Sequence, residues 1–248
     1  MTMRTRGLGW TVGGFTIIDD ITMDIRRGEF LSIIGPNGAG KSTFVNLLSG
    51  TVRPTTGTIE MGGVDVTRVR PSTRVRRGLG RSFQTSSLFP GLTVFNNALL
   101  AAMKGTGSLR IWSSPRRNRE HVERALECLE LVGLADRRDD PARDLPYGDK
   151  RRLEIALILC GQPEILLLDE PTAGVSAEQV DAIVDVIRNV HSMGNTVVMV
   201  EHHMEAVMSA SDRIAVIHQG KLLTIDDPSS VMGNPFVREA YLGGEVMA

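Results

Sequence analysis

Cysteine is scarce: Cys128 and Cys160 are the only two in 248 residues. Neither has a CxxC neighbour and both fall on segments that read as helices, so core packing or inert thiols is expected rather than a disulfide or a metal centre. Charge of one sign is also lacking. Lys and Arg number 28 against 29 Asp and Glu, a net charge of −1, which gives no global pull toward nucleic acid. Long hydrophobic runs are absent, since EILLLDE and NTVVMVE fall far short of the roughly 20 apolar residues that span a bilayer. The opening MTMRTRGLGW has basic residues with no apolar stretch behind them, which is not a secretory signal, and a cytosolic chain is expected. No internal repeat or low-complexity tract is found. What is plentiful is apolar content, 42% of the chain, enough for a full core as one large domain or two subdomains.

The pattern along the chain is α/β with a helical insert. ITMDIRRGEFLSII predicts a strand with alternating Ile21, Met23 and Ile25, a turn at Arg27-Gly28, and a second strand buried on both faces. A glycine-rich loop follows, then a helix through KSTFVNLLSG ending at Gly50 and a strand in GTIEMGG. From Thr93 to Cys160 only helical patterns occur: TVFNNALLAAM, then Pro115 to Leu131 with Val122, Ala125, Leu126 and Leu129 on one face. Strands return in EILLLD, NTVVMV and RIAVIHQGKLLTID, the last a hairpin turning at Gln219-Gly220, with the helix SAEQVDAIVDVIRNVHSM between the first two. The basic stretch VRPSTRVRRGLGR carries Arg70, Arg74, Arg76, Arg77 and Arg81. A solvated helix face is expected there, a phosphate-backbone or lipid-headgroup surface being the alternative.

GPNGAGKST fits G-x-x-x-x-G-K-[ST], with Gly35, Gly40, Lys41 and Ser42 in the fixed places, after a buried strand and before a helix. In such a loop, residues Gly35, Pro36, Asn37, Gly38, Ala39, Gly40, Lys41, Ser42 and Thr43 turn backbone N–H groups toward phosphate oxygens. Lys41 brings a point charge to the outer phosphates, and the Ser42 hydroxyl is a ligand for Mg²⁺. ILLLDE supplies a matching part: Asp169 falls at the carboxyl end of an apolar strand, where ligands of open α/β sheets bind and where an acid can hold the Mg²⁺ hydration shell. Glu170, facing another way as the next residue of an extended chain, suits a carboxylate that polarises the attacking water. Two acids capping a strand end is the plainer alternative, and it is poor beside a complete phosphate loop. Gln84 ends the strand before the helical insert, placed to sense nucleotide. His202 follows a buried strand and is expected to hydrogen-bond the terminal phosphate, with His203 as its rival.

LPYGDKRRLE opens a helix whose apolar positions Leu153, Ala156, Leu157 and Cys160 recur at i, i+3, i+4 and i+7. No side-chain N-cap is visible. Pro146 has no N–H to leave unpaired, Gly148 permits close approach, and the exposed amides attract an anion.

The order GPNGAGKST, Gln84, LPYGD, ILLLDEP, VEHHM resembles the ATP-binding subunits of ABC transporters over nearly the whole chain. LPYG in place of LSGGQ, RRLEIA, RSFQ…LFPGLTVFNN, the arginine-rich insert SLRIWSSPRRNREHVERALECLELVGL and the tail FVREAYLGG are similar to the branched-chain amino-acid importer group, the larger of its two ATPase subunits. The resemblance implies a P-loop NTPase (RecA-like) core with an antiparallel β subdomain and an inserted helical subdomain, with 1–84 and 163–248 forming the core and 85–162 the insert. It implies ATP hydrolysis with Mg²⁺ held at Ser42, Gln84 and Asp169, and a catalytic set of Glu170, His202, Lys41 and Gln84. Two ATPase subunits, a second copy or a paralogue, pair head to tail, so that Tyr147 and Gly148 of one face the γ-phosphate held by the other. It further implies a membrane permease docked beside Gln84 and the insert, an extracytoplasmic solute-binding protein, and a peripheral place on the cytoplasmic face of the inner membrane. Three departures stand out: Pro146 replaces the pattern's serine while Asp149 takes the glutamine place, Val12 stands where an aromatic often stacks on adenine (Trp10 and Phe15 being nearby), and His203 stands where an acid usually follows the switch histidine. A urea or short-amide importer, a soluble ABC-type ATPase acting on nucleic acid or ribosomes, and a subunit that holds nucleotide without hydrolysing it are the rival readings.

Overall fold

A computed structural model of the chain describes residues 2–82, 88–105 and 115–242. β1 (Met3–Val12) and β2 (Phe15–Ile25) form an antiparallel hairpin, and β3 (Phe30–Ile34) leads into α1 (Lys41–Ser49). After β4 (Thr56–Met61), β5 (Val64–Asp65), the short α2 (Pro71–Arg76) and β6 (Leu79–Arg81) come three helices, α3 (Val94–Gly105), α4 (Pro115–Leu131) and α5 (Tyr147–Cys160). The chain then runs through β7 (Ile165–Asp169), α6 (Ala177–Ser192), β8 (Thr196–Val200), α7 (Met204–Ala210), β9 (Arg213–His218) and β10 (Lys221–Asp226) to α8 (Pro228–Gly233) and α9 (Pro235–Leu242).

Two sheets result, an antiparallel one ordered β2-β1-β4-β5 and a larger one ordered β10-β9-β3-β8-β7-β6. The larger sheet is parallel except for its β9–β10 hairpin, which turns at Gln219-Gly220 as the sequence predicts. Every residue of β3, β7 and β8 is buried, which is what their unbroken apolar runs require. Side chains alternate across the sheet. Phe30, Ile34, Leu166, Leu168, Val197 and Met199 join the core beneath α3–α6, whereas Leu31, Ile33, Ile165, Leu167, Val198 and Val200 pack on α1 and the antiparallel sheet. Each such side chain contributes about 1.5–3 kcal/mol by leaving water. The sheet is therefore a stiff platform whose polar groups emerge only at its strand ends.

The structure corrects several expectations. β2 begins at Phe15 rather than Ile21, and β1 gave no strand signal, because its arginines, threonines and glycines acquire strand geometry only through pairing with β2 and β4. On α5, Leu153, Ala156 and Cys160 are buried as expected, but Leu157 is half-buried while Ile155 and Leu159 are buried, so the helix is covered on more than one side. Cys128 and Cys160, in contrast, are buried free thiols as expected, and their mutual contact, together with burial, pushes the Cys160 thiol up.

The basic stretch is not simply a solvated face. Arg74 is fully buried, and its guanidinium donates to the carbonyls of Leu47 (2.8 Å) and Leu48 (2.6 Å) at the end of α1, and of Val66 (2.6 Å), Thr67 (3.2 Å) and Val69 (3.3 Å). Burial lowers its pKa to about 10, which leaves it charged at neutral pH. It closes the carboxyl end of α1, where helix carbonyls lack intrahelical partners. Arg74→Met is expected to strand these acceptors and destabilise the chain by about 3 kcal/mol. Calorimetry would read this as a fall in Tm of roughly 6–12 °C.

Candidate active site

The register of the parallel sheet brings the ends of β3, β7 and β8 together, with Val200 opposite both Ile33 and Asp169. The loops leaving these ends carry almost every residue singled out above. A cleft of about 330 Å³ is lined by Ile17, Asn37, Gly38, Ala39, Gly40, Lys41, Ser42, Thr43, Glu170 and His202. Gly35 and Pro36, which open the same loop, are not among the lining residues.

Glycine is a steric necessity at two of these positions. A Cβ on Gly35 would lie 2.0 Å from the Ile217 carbonyl oxygen, and one on Gly40 (φ 101°) would press on Ile18 Cδ1 at 2.8 Å. The loop is thus wedged between β2 and the β9–β10 hairpin, which also holds it through the Gly220 amide donating to the Ala39 carbonyl at 3.0 Å. α1 starts at Gly40 with no side-chain cap and no acid in its first turn, so its leading amides and the positive end of its dipole face the cleft. That is an anion-binding arrangement. Lys41 is 6% exposed, and its ammonium donates to the carbonyls of Gly35 (2.6 Å) and Pro36 (2.9 Å). Burial lowers its pKa, while Glu170 and Asp169 pull it back up.

Asp169 is buried. Its Oδ1 accepts from the Ser42 hydroxyl at 3.4 Å, its amide donates to Ser82 Oγ at 3.0 Å, and its Oδ2 has no hydrogen-bond partner. Burial raises its pKa, Glu170 adding to the effect while Arg81, Ser42 and Lys41 oppose it. An orphaned carboxylate oxygen beside a hydroxyl is a donor set suited to a hard divalent cation. Among the described residues no three His, Cys, Asp or Glu side chains form a metal-holding group. The fit is therefore to a cation that shares its shell with substrate phosphates, as Mg²⁺ does.

Glu170 lines the cleft while Asp169 does not, and strand alternation does not apply between them: β7 ends at Asp169, and the Glu170 φ of 51° turns the backbone into the left-handed region, a strained state for glutamate. Its Oε1 lies 2.8 Å from His202 Nε2. His203 points elsewhere, to Thr172 Oγ1 at 3.0 Å and Glu201 Oε2 at 3.3 Å, so of the two histidines it is His202 that lines the cleft. Gln84 lies outside the described residues.

Tyr147 and Gly148 do not line this cleft. Pro146 caps α5 without a side-chain hydrogen bond, Gly148 is buried with the Gln179 amide group against it, and Tyr147 rests beside Gly174 with the Arg151 guanidinium 5.3 Å from its ring centre. Asp149 is neutralised: Arg137 binds one oxygen at 2.8 Å and Arg152 the other at 2.5 Å. Val12 and Phe15 are exposed around the Gly13-Gly14 turn, and Trp10 is half-buried against the core, so none of the three sits in the cleft.

Two residues of the site escaped the sequence reading. Ser82 holds the Asp169 amide, and nothing in its neighbourhood signals this. Glu201 is 2% exposed and receives hydrogen bonds from Thr172, His202 and His203. Its signal was available in VVMVE, an acid directly after a buried strand, the same pattern that marked Asp169.

The sequence profile of the ABC transporter family matches residues 18–173. The chain belongs to the ABC transporter family. It is 38% identical to the high-affinity branched-chain amino acid transport ATP-binding protein LivG of Salmonella typhimurium, over 97% of each chain. Among solved structures, the ATP-binding cassette MJ1267 in its ADP conformation superposes with a TM-score of 0.84 at 26% identity, covering 98% of both chains. The dimeric bacterial ABC transporter cassette MJ0796 gives 0.77 at 27% identity, over 91% of this chain and 98% of that one. The fold is that of an ABC ATPase, and such cassettes bind nucleotide.

Because burial raises the Asp169 pKa above its unfolded value, ionising this carboxyl costs stability once pH exceeds the folded pKa, and the cost vanishes below the unfolded one. Asp169→Asn is accordingly expected to raise the Tm of the nucleotide-free protein by a few degrees at pH 7, and less in acid. It should also abolish the extra stabilisation that Mg²⁺ gives in the presence of ATP. Scanning calorimetry at two pH values checks both.

Proposed function

We propose that this chain is the ATP-hydrolysing subunit that energises uptake of branched-chain or related amino acids through a membrane permease. It would act from the cytoplasmic face of the inner membrane as a peripheral partner. The observation that carries the hydrolytic part is the Glu170–His202 contact at 2.8 Å in the cleft that the glycine-rich loop lines. The cargo rests on the 97% coverage shared with LivG. Peripheral association is supported by the lack, among the described residues, of a helix long and apolar enough to cross a membrane. Division into a core (1–84 and 163–248) and a helical subdomain (85–162) is supported by the place of α3–α5, which fall together in the second interval.

In this reading the amides of 37–43 and the Lys41 ammonium, released from its loop carbonyls, hold the β- and γ-phosphates. Mg²⁺ at Asp169 and Ser42 would offset phosphate charge. Glu170 accepts a hydrogen bond from the water that attacks the γ-phosphorus in line, the bridging oxygen leaves with ADP, and His202 Nε2 fixes the carboxylate. Inorganic phosphate and a proton are released. The tip of α5 would complete the site from a second subunit, a copy or a paralogue. Three observations support that pairing: the α5 N-terminus has no side-chain cap, the Asp149 charge is neutralised, and MJ0796 forms a dimer.

Glu170→Gln is expected to retain ATP binding and to lose about 10²–10⁴ in turnover, with a nucleotide-trapped dimer on size-exclusion chromatography. Unchanged hydrolysis contradicts the assignment. For cargo, the chain co-purified with its permease should hydrolyse ATP faster in vesicles when a binding protein loaded with leucine or valine is added. Stimulation by urea or short amides instead would reassign the solute.

A further inference from the structure

We propose that Glu201 is a positioning residue for the hydrolytic pair, its buried carboxylate tying the turn after β7 to the turn after β8 and so setting His202 against Glu170. The proposal rests on the reading of Glu170 and His202 given above.

A carboxylate placed directly after the wholly buried β8 is costly unless its oxygens are fully served. These are. Oε1 accepts from the Thr172 amide at 2.9 Å and the Thr172 hydroxyl at 2.5 Å; Oε2 accepts from the His202 amide at 2.8 Å and the His203 amide at 3.4 Å. The Thr172 hydroxyl has one proton and gives it to Glu201, so it accepts from His203 Nδ1 at 3.0 Å. The donors thus belong to two different turns, one carrying Glu170 two residues before Thr172, the other carrying His202 itself. Burial by itself would raise the Glu201 pKa, but the hydrogen bonds from Thr172, His202 and His203 outweigh it and hold the carboxyl below the usual glutamate range.

The need for such a brace is visible in what it braces. Glu170 is held at a strained φ of 51° with its amide donating to the Val200 carbonyl at 2.9 Å. The side chains of Glu170 and His202 are 34% and 39% exposed, so packing does not lock their 2.8 Å contact. Their geometry depends on where the two backbones sit, and Glu201 together with Thr172, itself fully buried, sets that spacing. Glu201 does not line the cleft, and the hydrogen bonds to its carboxylate come from Thr172, His202 and His203. Its effect would reach the chemistry only through His202 and Glu170. Displacements of about 1 Å at a reacting group cost on the order of 10²-fold in rate.

The test compares Glu201→Gln, Thr172→Ala and Thr172→Ser in the full chain, with ATP hydrolysis and the Kd for a fluorescent ATP analogue measured separately. Glutamine keeps the shape but turns an NH₂ donor onto groups that are already donors. Expected are a 10–100-fold fall in kcat with Kd within about threefold for Glu201→Gln and Thr172→Ala, no further fall in the double variant, and near-normal turnover for Thr172→Ser. Glu170→Gln/Glu201→Gln should still form the nucleotide-trapped dimer, because the brace acts on the water-orienting pair and not on the clamp. The proposal is overturned if kcat is unchanged in either folded variant, if Kd weakens in step with kcat, or if the two effects multiply. Should Glu201→Gln fail to fold, the contrast between Thr172→Ala and Thr172→Ser decides alone. A fully active Glu170→Gln would instead sink the catalytic reading, whereas a dead Glu170→Gln beside normal Glu201→Gln and Thr172→Ala sinks only the brace.

Discussion

A parallel sheet covered on both faces leaves its polar ends as the only openings in the core, and the chemistry of this chain is crowded into one of them. Lys41, Asp169, Glu170, Glu201 and His202 all leave the carboxyl ends of β3, β7 and β8 or the loops that follow. The platform is stiff because β3, β7 and β8 are buried throughout. Charges anchored on such an edge hold their spacing, and each has to be answered by a partner within hydrogen-bonding reach or be left at a cost. The pairs observed are the outcome of that constraint: Lys41 with its own loop carbonyls, Ser42 with Asp169, His202 with Glu170, and Thr172 with Glu201. The exception is Asp169 Oδ2, buried and unanswered. An orphaned carboxylate oxygen at this position is what supports the proposed cation at Asp169 and Ser42.

The parts of this edge that could be read in the sequence are those whose meaning is local. Gly35–Ser42 is contiguous, and the glycine spacing and the uncapped start of α1 belong to that short stretch, although what excludes a Cβ at Gly35 and Gly40 is Ile217 and Ile18, far along the chain. Asp169 and Glu170 were legible because an apolar strand points directly at them. β1, Arg74 and Ser82 were not, since their roles come from partners far along the chain: β1 from β4, Arg74 from the end of α1, Ser82 from the Asp169 amide. The five arginines of 70–81 look alike in sequence, yet one is wholly buried and the others are not. Only the carbonyls that converge on Arg74 distinguish it. For Glu170 strand alternation is not the applicable rule, since β7 ends at Asp169 and Glu170 has a left-handed φ of 51°.

Among the helices that begin without a side-chain cap, the difference between α1 and α5 is instructive. α1 opens at Gly40 into the cleft, with Lys41 adding positive charge. α5 opens at Pro146, with Gln179 against Gly148 and Tyr147 laid beside Gly174, away from that cleft. Within one chain the second helix start does not face the cleft, and this geometry supports the proposed two-subunit site. Asp149 would oppose such a use by placing a carboxylate in the first turn of an anion-binding helix. Arg137 and Arg152 take up both of its oxygens, so the charge that approaches a facing phosphate is that of the helix dipole and not of the acid.

The same logic separates the two histidines after β8. Were the choice made by exposure alone, His203, with the more exposed side chain at 53% against 39%, would be the better contact for a ligand. The hydrogen bonds decide otherwise. Nδ1 of His203 is committed to Thr172 and Glu201, while the imidazole of His202 reaches Glu170 across the cleft. One histidine is thereby part of the frame and its neighbour part of the working surface. What assigns them is the carboxylate immediately before both, which fixes the amide of His202 on one oxygen and thereby the direction in which each ring must leave the strand end.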